Sequence, residues 1–148
     1  MLSYSLTQEF PYSFDTVMAE LPKELKKKGF KILSINSIDQ PFNELLDITF
    51  KRYTIISAAI LPLAYRALTM NENFGVVLPC NIAVYEKDEN IVISAIKPTI
   101  FTHVVGNGFL TNGLMLIERK LQDVLRAFEK KGAKITNSKE KPPLAVGA

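Results

Sequence analysis

The chain has 148 residues, of which 47% are hydrophobic and 22% charged, a composition that fits a folded domain and excludes a disordered chain. Its formal net charge of +3 comes from the segment after residue 128, which holds five lysines and two glutamates, so residues 1–128 are neutral. A neutral body offers no basic surface for nucleic acid. We predict one domain over residues 1–132, a flexible basic tail over residues 133–148, and no nucleic-acid partner.

The start of the chain has no basic segment followed by an apolar run, the pattern of a signal peptide. The most apolar stretch, residues 53–68, is 16 residues long and contains Pro62, whereas a membrane span needs roughly 20 apolar residues. The single cysteine excludes a disulfide within the chain and is typical of a reducing compartment. These features predict a cytoplasmic protein with no membrane partner.

The first third of the chain predicts two strands and two helices. Residues 3–10 alternate weakly and predict a strand. A helix begins after Ser13, whose side chain caps free amides, and leaves through Gly29 in a left-handed conformation. Pro22 should kink this helix or split it. Residues 30–38 alternate as a second strand, and Pro41 opens a short helix.

The middle of the chain predicts a buried strand, a helix and a hairpin. The strand that begins near residue 48 is apolar on both faces after Tyr53, which indicates a central strand or one covered on both sides. Pro62 starts a helix. The next two strands turn around residues 88–89 with Glu86 opposite Ile91, and this register places Cys80 opposite Lys97.

A last helix, about residues 110–131 with Gly132 at its end, carries an unbroken heptad seam. We expect it to pack on the sheet and to lend its second edge to a partner subunit, so that the chain forms a homodimer. The residues of the seam predicted to lie at the dimer interface are Leu114, Ile117, Leu121 and Val124.

Four segments in this order, K-K-K-G-F, L-P-L-A-Y-R-A-L, G-V-V-L-P-C-N-I-A-V-Y-E and I-V-I-S-A-I-K-P, resemble the family called domain of unknown function 302. The resemblance covers about residues 13–98 and continues less distinctly through the last helix. It implies an α+β fold, with an antiparallel sheet and helices packed against it as in the TATA-box-binding protein. It also implies a small dimeric bacterial or archaeal cytosolic protein of unknown activity.

Within the third segment, the resemblance marks Gly75, Leu78, Pro79 and Cys80 as motif residues. The chain departs from the family before Pro62, where Ala-Ile-Leu stands in place of a frequent polar or thiol residue. Cys80 therefore has no second thiol for dithiol chemistry.

Cys80 has two interpretations. Free cysteines at strand starts are usually small buried hydrophobes. A reactive thiol would instead need a cation that favours the thiolate, and Lys97 opposite Cys80 could supply it. The candidate catalytic residues are therefore Cys80 and Lys97.

His103, the only histidine, is best interpreted as a loop imidazole bonded to backbone. Cys80 and His103 would form half of a Cys₂His₂ zinc site that a two-fold dimer could complete, but their spacing matches no local zinc motif. We predict no metal and no cofactor. Gly106-Asn107-Gly108 lacks the further residues of a phosphate-binding loop and predicts a turn, as does Asn112-Gly113.

Taken together, the sequence favours a homodimeric binding or assembly protein without conventional enzymatic activity. Its small-molecule pocket would lie between the Gly75–Cys80 loop and the loop of His103. The alternative is a thiol-dependent enzyme or a sulfur carrier that uses Cys80.

Overall fold

A computed structural model describes residues 3–106 and 108–137, and for residues 132–137 it describes the backbone alone. In chain order the strands and helices are β1 (Ser5–Phe10), α1 (Phe14–Lys27), β2 (Lys31–Ser37), α2 (Asp39–Leu46), β3 (Tyr53–Ala59), α3 (Leu61–Met70), β4 (Cys80–Lys87), β5 (Asn90–Ile96), α4 (Thr102–Val105) and α5 (Gly108–Asn137), with short 3₁₀ helices at Glu72–Val76 and Pro98–Phe101. In the ranges described, no helix combines the length and the apolar character that crossing a membrane requires.

The five strands form one antiparallel sheet in the order β1-β5-β4-β3-β2. The hairpin of β4 and β5 has Glu86 opposite Ile91, so the predicted register is confirmed. The predicted α+β class, an antiparallel sheet with helices packed against it, is confirmed as well. Strands β1 and β2 are the two edges of the sheet. Strand β1 comes first in the chain but pairs with the last strand, β5.

Helices α1 and α5 cover one face of the sheet and supply the main core. Apolar residues at three- and four-residue spacing on α1, among them Val17, Leu21 and Leu25, are fully buried. Phe128 of α5 packs against the rings of Phe10 and Tyr12, with centroids 5.6 and 6.4 Å away. The packing of two amphipathic helices on one sheet face leaves the other face without a helical layer.

The heptad seam of α5 lies inside the chain. Leu114, Ile117, Leu121 and Val124 are each 2–3% exposed and belong to the buried core. The prediction that these four side chains form a dimer interface is therefore wrong, because the chain's own sheet and helices already bury them. An apolar stripe along a helix can pack on a sheet of the same chain as well as on a helix of a partner, and in α5 it packs within the chain.

The ends of α1 follow the sequence signals, and its middle does not. The Ser13 hydroxyl accepts a hydrogen bond from the Thr16 amide at 3.1 Å, and Gly29 takes a positive φ of 90°. Pro22 neither ends nor splits the helix, which is continuous from Phe14 to Lys27. Tertiary burial of the apolar stripe offsets the loss of one backbone hydrogen bond at the proline.

An ion-pair cluster joins α1 to the end of α5. The Lys131 ammonium lies 2.7 Å from a Glu20 carboxylate oxygen and 2.9 Å from one of Glu24. The Glu24 side chain is 5% exposed and also contacts Lys27 at 3.0 Å. Hydrogen bonds from Lys131 lower the pKa of both carboxyls, so Lys131 neutralises a charge that the helix packing has removed from water.

The connection from β2 to β3 carries no buried side chain in its helix. A bulge between Ile32 and Ser34 shifts the register of β2, and none of the residues of α2 is buried. Strand β3 starts at Tyr53, later than the strand predicted from residue 48. The segment from residue 33 to residue 50 thus comprises most of the edge strand β2, the helix α2 and the connection to β3.

Gly113 and Gly132, predicted to lie in a turn and at a helix end, both lie inside α5. Helix α5 continues to Asn137, so Gly132 does not end it, and Asn112-Gly113 lies within the helix and not in a turn. Gly106 does take a left-handed φ of 57° and ends α4, whereas Asn107 lies outside the described residues. Of the predicted basic tail, residues 138–148 also lie outside them.

Candidate binding groove

Cys80 is the first residue of β4 and lies in the main core, 4% exposed. Its burial raises the pKa of the thiol to about 11. At neutral pH the sulfur is therefore a thiol and not the thiolate that nucleophilic and sulfur-transfer chemistry need. The structure contradicts a catalytic role for Cys80 and matches the interpretation as a small buried hydrophobe.

The loop before Cys80 is exposed at Gly75 and Val76 and packs inward from Val77 onward. Leu78 lies between the main core and a smaller core that contains Phe74, Leu110 and Leu114, and the bond from Leu78 to Pro79 is cis. The space enclosed there is about 10 Å³, which holds about one water molecule. Of the motif residues, only Leu78 lines this space, so the small-molecule pocket between the Gly75–Cys80 loop and the loop of His103 stays a prediction.

Lys97 and His103, by contrast, line one shallow cleft of about 310 Å³ together with Tyr4 and Thr99. His103 is exposed and Lys97 is half-buried, whereas the Cys80 sulfur lies in the core. The structure thus brings together two of the predicted site residues and separates them from the third. The described part of the chain contains no cluster of three or more histidine, cysteine or carboxylate groups that could hold a metal ion.

The larger cavity lies on the sheet face that α1 and α5 leave uncovered. It is a groove of about 510 Å³, and we call it the sheet groove. Its lining residues come from all of the strands except β2, together with the segment that precedes β3. They are Tyr4, Ser5, Phe50, Lys51, Tyr53, Ile55, Asn81, Ala83, Tyr85, Ser94, Ala95 and Ile96.

Strand register explains the shape of the sheet groove. Ile55, Ala83 and Ser94 are cross-strand neighbours on β3, β4 and β5. Since successive side chains on a strand alternate between faces, these residues form one row across the uncovered face. The two small side chains, Ala83 and Ser94, leave a depression in the middle of that row.

The wall on one side of this depression is aromatic. Tyr53 and Tyr85 are directly opposite each other in the β3–β4 ladder, and their rings stack with centroids 5.1 Å apart and planes 4° from parallel. Phe50 extends the wall, 6.3 Å from Tyr53. Burial, and then the neighbouring hydroxyls of Tyr85 and Tyr4, raise the pKa of Tyr53, so Tyr53 remains a neutral donor at physiological pH.

The wall on the other side is polar. Ser57 donates a hydrogen bond of 2.9 Å to the Asn81 side-chain carbonyl, and Ser94 shares one of 2.7 Å with Thr7. Hydroxyl and amide groups therefore face the aromatic wall across a floor of small residues. Such a mixture of rings and a few fixed polar groups is typical of ligand sites.

Lys51 supplies the charge of the sheet groove. Its ammonium lies 5.1 Å from the centroid of the Tyr85 ring and 5.9 Å from that of Phe50, within the range of cation–π attraction. No aspartate or glutamate lines the groove, and none of the ion pairs found among the described residues includes Lys51. The groove therefore presents a positive charge held against aromatic rings.

Sequence reasoning missed this site, because it considered β3 only as a central strand or one covered on both sides and did not ask which sheet face stays open. The available signal was the pair of outward-facing aromatic residues, Tyr53 and Tyr85, on strands that were both predicted. An aromatic ring on an outward face is unusual unless another layer or a ligand contacts it.

The architecture defines a class of protein: a mixed α+β fold built on an open five-stranded antiparallel sheet with helices on one face. A family model described as "Domain of unknown function DUF302" matches residues 6–128. The chain belongs to this family, as its sequence segments predict.

A crystal structure of an uncharacterized conserved DUF302 protein from Bacillus stearothermophilus is similar to this chain, with a TM-score of 0.76 and 24% sequence identity. The similarity covers 84% of this chain and 98% of that one, and it shows a shared fold. No curated protein matches the chain.

Proposed function

We propose that this chain is a non-catalytic binding protein that assembles as a homodimer through residues 33–50 and keeps the sheet groove beside that interface. The observation that carries the proposal is the concentration of exposed apolar side chains in one segment. Six large hydrophobic residues between positions 33 and 50 are exposed: Leu33, Ile35, Leu45, Leu46, Ile48 and Phe50.

The exposure within this segment is large. Leu45 is 80% exposed and Leu46 is 61% exposed, although both belong to a regular helix. No residue of α2 is fully buried, and the half-buried ring of Phe42 contacts Phe50 of the same segment. A short helix gains little stability from its own hydrogen bonds, so contacts with another molecule would stabilise this one.

A second copy of the chain is the partner that the surface favours. A two-fold interface pairs a surface with itself, and an apolar surface is complementary to its own copy. Strand β2 is also an edge of the sheet, beside the exposed helix. Because residues 1–128 are neutral, two copies approach each other without long-range repulsion.

The rival function, thiol chemistry or sulfur transfer at Cys80, has no support in the geometry, since the thiol is buried and its pKa is raised. A cytoplasmic location remains part of the proposal. It is supported by the single free thiol, and cell fractionation would test it.

Light scattering coupled to size exclusion tests the assembly. We expect the wild-type chain to have a measured mass twice that of one chain, which is 16.6 kDa. The double variant Leu45→Ser/Leu46→Ser should have the mass of one chain and should still unfold cooperatively, as a folded monomer does. Val76→Ser is the matched control, because Val76 is 89% exposed but lies far along the chain from the segment. A monomeric wild type, or a double variant that remains dimeric, would reject the proposal.

Cysteine cross-linking locates the interface. Because Cys80 is buried, Leu45→Cys introduces the one accessible thiol in the described residues, and oxidation should link two copies that meet at α2. Val104→Cys, at a position 78% exposed, should remain unlinked. Equal linking of both variants would indicate random collision and not a defined interface.

A further inference from the structure

We infer that the sheet groove binds a planar ligand that carries an anionic group, such as an aromatic or heteroaromatic carboxylate or phosphate. This inference rests on the proposed binding function and names its ligand class. It uses three independent observations: the unpaired cation, the parallel aromatic wall and the floor of small side chains.

The cation is held where an anion can reach it. Lys51 is exposed, and two rings, those of Phe50 and Tyr85, contact its ammonium from within the groove. Aromatic faces attract a cation but do not neutralise it, so the site keeps a net positive charge. A bound anion would complete the ion pair that the described carboxylates do not form.

The position of the rings and the floor selects a flat molecule. Ala83 and Ser94 project less than the tyrosines beside them, so the depression between the walls is a slot. An aromatic ligand laid in this slot contacts the edges or faces of Tyr53 and Tyr85, an arrangement that stabilises aromatic pairs beyond simple burial. Asn81 on the polar wall and the Ser94 hydroxyl on the floor then offer hydrogen bonds to a substituent on the ligand.

The neighbouring cleft extends the same chemistry. Tyr4 lines both the sheet groove and the cleft of Lys97 and His103, and no carboxylate lines that cleft either. Lys97 therefore adds positive potential near the far end of the groove, which favours anionic over neutral ligands through the summed field. Since these cations are solvent-accessible, the preference should weaken as salt concentration rises.

The test uses a matched pair of probes, 2-naphthoate and its neutral amide 2-naphthamide, titrated into ¹⁵N-labelled wild-type protein. We expect 2-naphthoate to shift the backbone amide signals of Ala83, Tyr85 and Ser94, and to bind about tenfold more tightly than 2-naphthamide, the difference of one charge-assisted contact. Equal affinity of the two probes would overturn the anionic part of the inference. Shifts confined to other residues, or none at millimolar probe, would overturn the site.

Two variants and one control assign the roles. Lys51→Met keeps the aliphatic stem and should remove the preference for 2-naphthoate, whereas Tyr85→Ser should weaken both probes. Lys87→Met is the control, because Lys87 lies on β4, the strand of Tyr85, but pairs with Glu9 at 3.4 Å and does not line the groove. If Lys87→Met reduces the preference as much as Lys51→Met does, the effect comes from net charge and the inference is wrong.

The same titration on Leu45→Ser/Leu46→Ser separates this inference from the assembly. The groove is built from one chain, and of its lining residues only Phe50 also belongs to the proposed interface segment. Since the double variant leaves Phe50 in place, 2-naphthoate should bind it nearly as tightly as the wild type. A dimer that does not bind 2-naphthoate rejects the ligand class alone. A monomeric wild type that binds it rejects the assembly alone.

Discussion

Replacing Lys131 by methionine should destabilise the fold by about 2–3 kcal/mol. The variant keeps the apolar stem of the side chain and removes the ammonium that lies 2.9 Å from Glu24 and 2.7 Å from Glu20. Glu24 is 5% exposed, and losing a hydrogen bond to a buried charged group costs about 1.5–3 kcal/mol. Glu20 is a third exposed, so its contact adds about 0.5 kcal/mol at most.

Urea and thermal unfolding at fixed protein concentration measure this difference. For a chain of this size, 2–3 kcal/mol corresponds to a lower Tm by about 5–10 °C. Lys23→Met is the matched control, because Lys23 is 65% exposed and lies 3.6 Å from Glu20, and it should change stability by less than about 0.5 kcal/mol. Equal effects of the two variants would refute the reasoning, since the burial of Glu24 would then have no energetic consequence.

The pH dependence of the difference supplies an independent check. Hydrogen bonds from Lys131 hold the pKa of Glu20 and Glu24 below the ordinary value of 4.5. A lowered folded-state pKa stabilises the fold above the unfolded value, and this stability is lost as the pH falls through the folded value. The gap between wild type and Lys131→Met should therefore be full at pH 7 and should close progressively below pH 4.5.

At the alkaline end, burial lowers the pKa of Lys131, but its hydrogen bonds to Glu20 and Glu24 outweigh that effect and raise it above 10.5. The contribution of Lys131 should thus persist through pH 10 and disappear only as the pH rises through the raised value. A gap that is constant from pH 3 to pH 7 would indicate lost packing and not a lost ion pair.

Three further changes test the core and its ends. Cys80→Ala should lower the free energy of unfolding by no more than about 1.5 kcal/mol, whereas Cys80→Ser, which buries a hydroxyl, should lower it by about 1–3 kcal/mol more. The native thiol should react with iodoacetamide only after denaturant is added. Phe128→Ala should cost about 3–5 kcal/mol in urea unfolding, because the ring is 1% exposed; a loss below 1 kcal/mol would mean that α5 does not pack as described. Ser13→Ala should cost about 1 kcal/mol through the lost cap, and an unchanged unfolding midpoint would show that water satisfies the Thr16 amide instead.

The sequence predicts most of the fold because local signals and burial agree in most of its elements. The cap at Ser13 and the exit at Gly29 are local backbone chemistry, and the register of β4 and β5 follows from a tight turn at Asp88, which takes a positive φ of 54°. These features depend on neighbours in sequence, so the sequence alone determines them.

The errors arise where a pattern permits two partners. A heptad seam does not distinguish a sheet from a second helix, and the buried positions of Leu114 and Val124 were therefore assigned to a dimer. The bulge after Ile32 changes which residues of β2 face the core, and no local signal marks it. Cys80 was correctly recognised as a possible core residue, but only its burial decides between packing and chemistry.

The candidate site was the least predictable feature. It depends on which face of the sheet the helices leave uncovered, and this is set by how α1 and α5 share one face. Tyr53 and Tyr85 come from strands more than twenty residues apart in sequence, and only the β3–β4 register brings their rings together. The loop beside Cys80, by contrast, is marked by its sequence motif, but in the structure its Cys80 and Leu78 side chains pack into the core.

The pairing of β1 with β5 has a consequence for how the chain can fold during its synthesis. Ser5 lies opposite Ile96, and Phe10 and Tyr12 pack against Phe128, so β1 has no strand partner until β5 has been made and no helical cover until Phe128 has been made. Closing a loop of this length delays folding, since the entropy of closure is lost before the contacts form. During synthesis β1 therefore stays unpaired while the intervening strands and helices are made, and its backbone donors and acceptors remain open to other strands for that time.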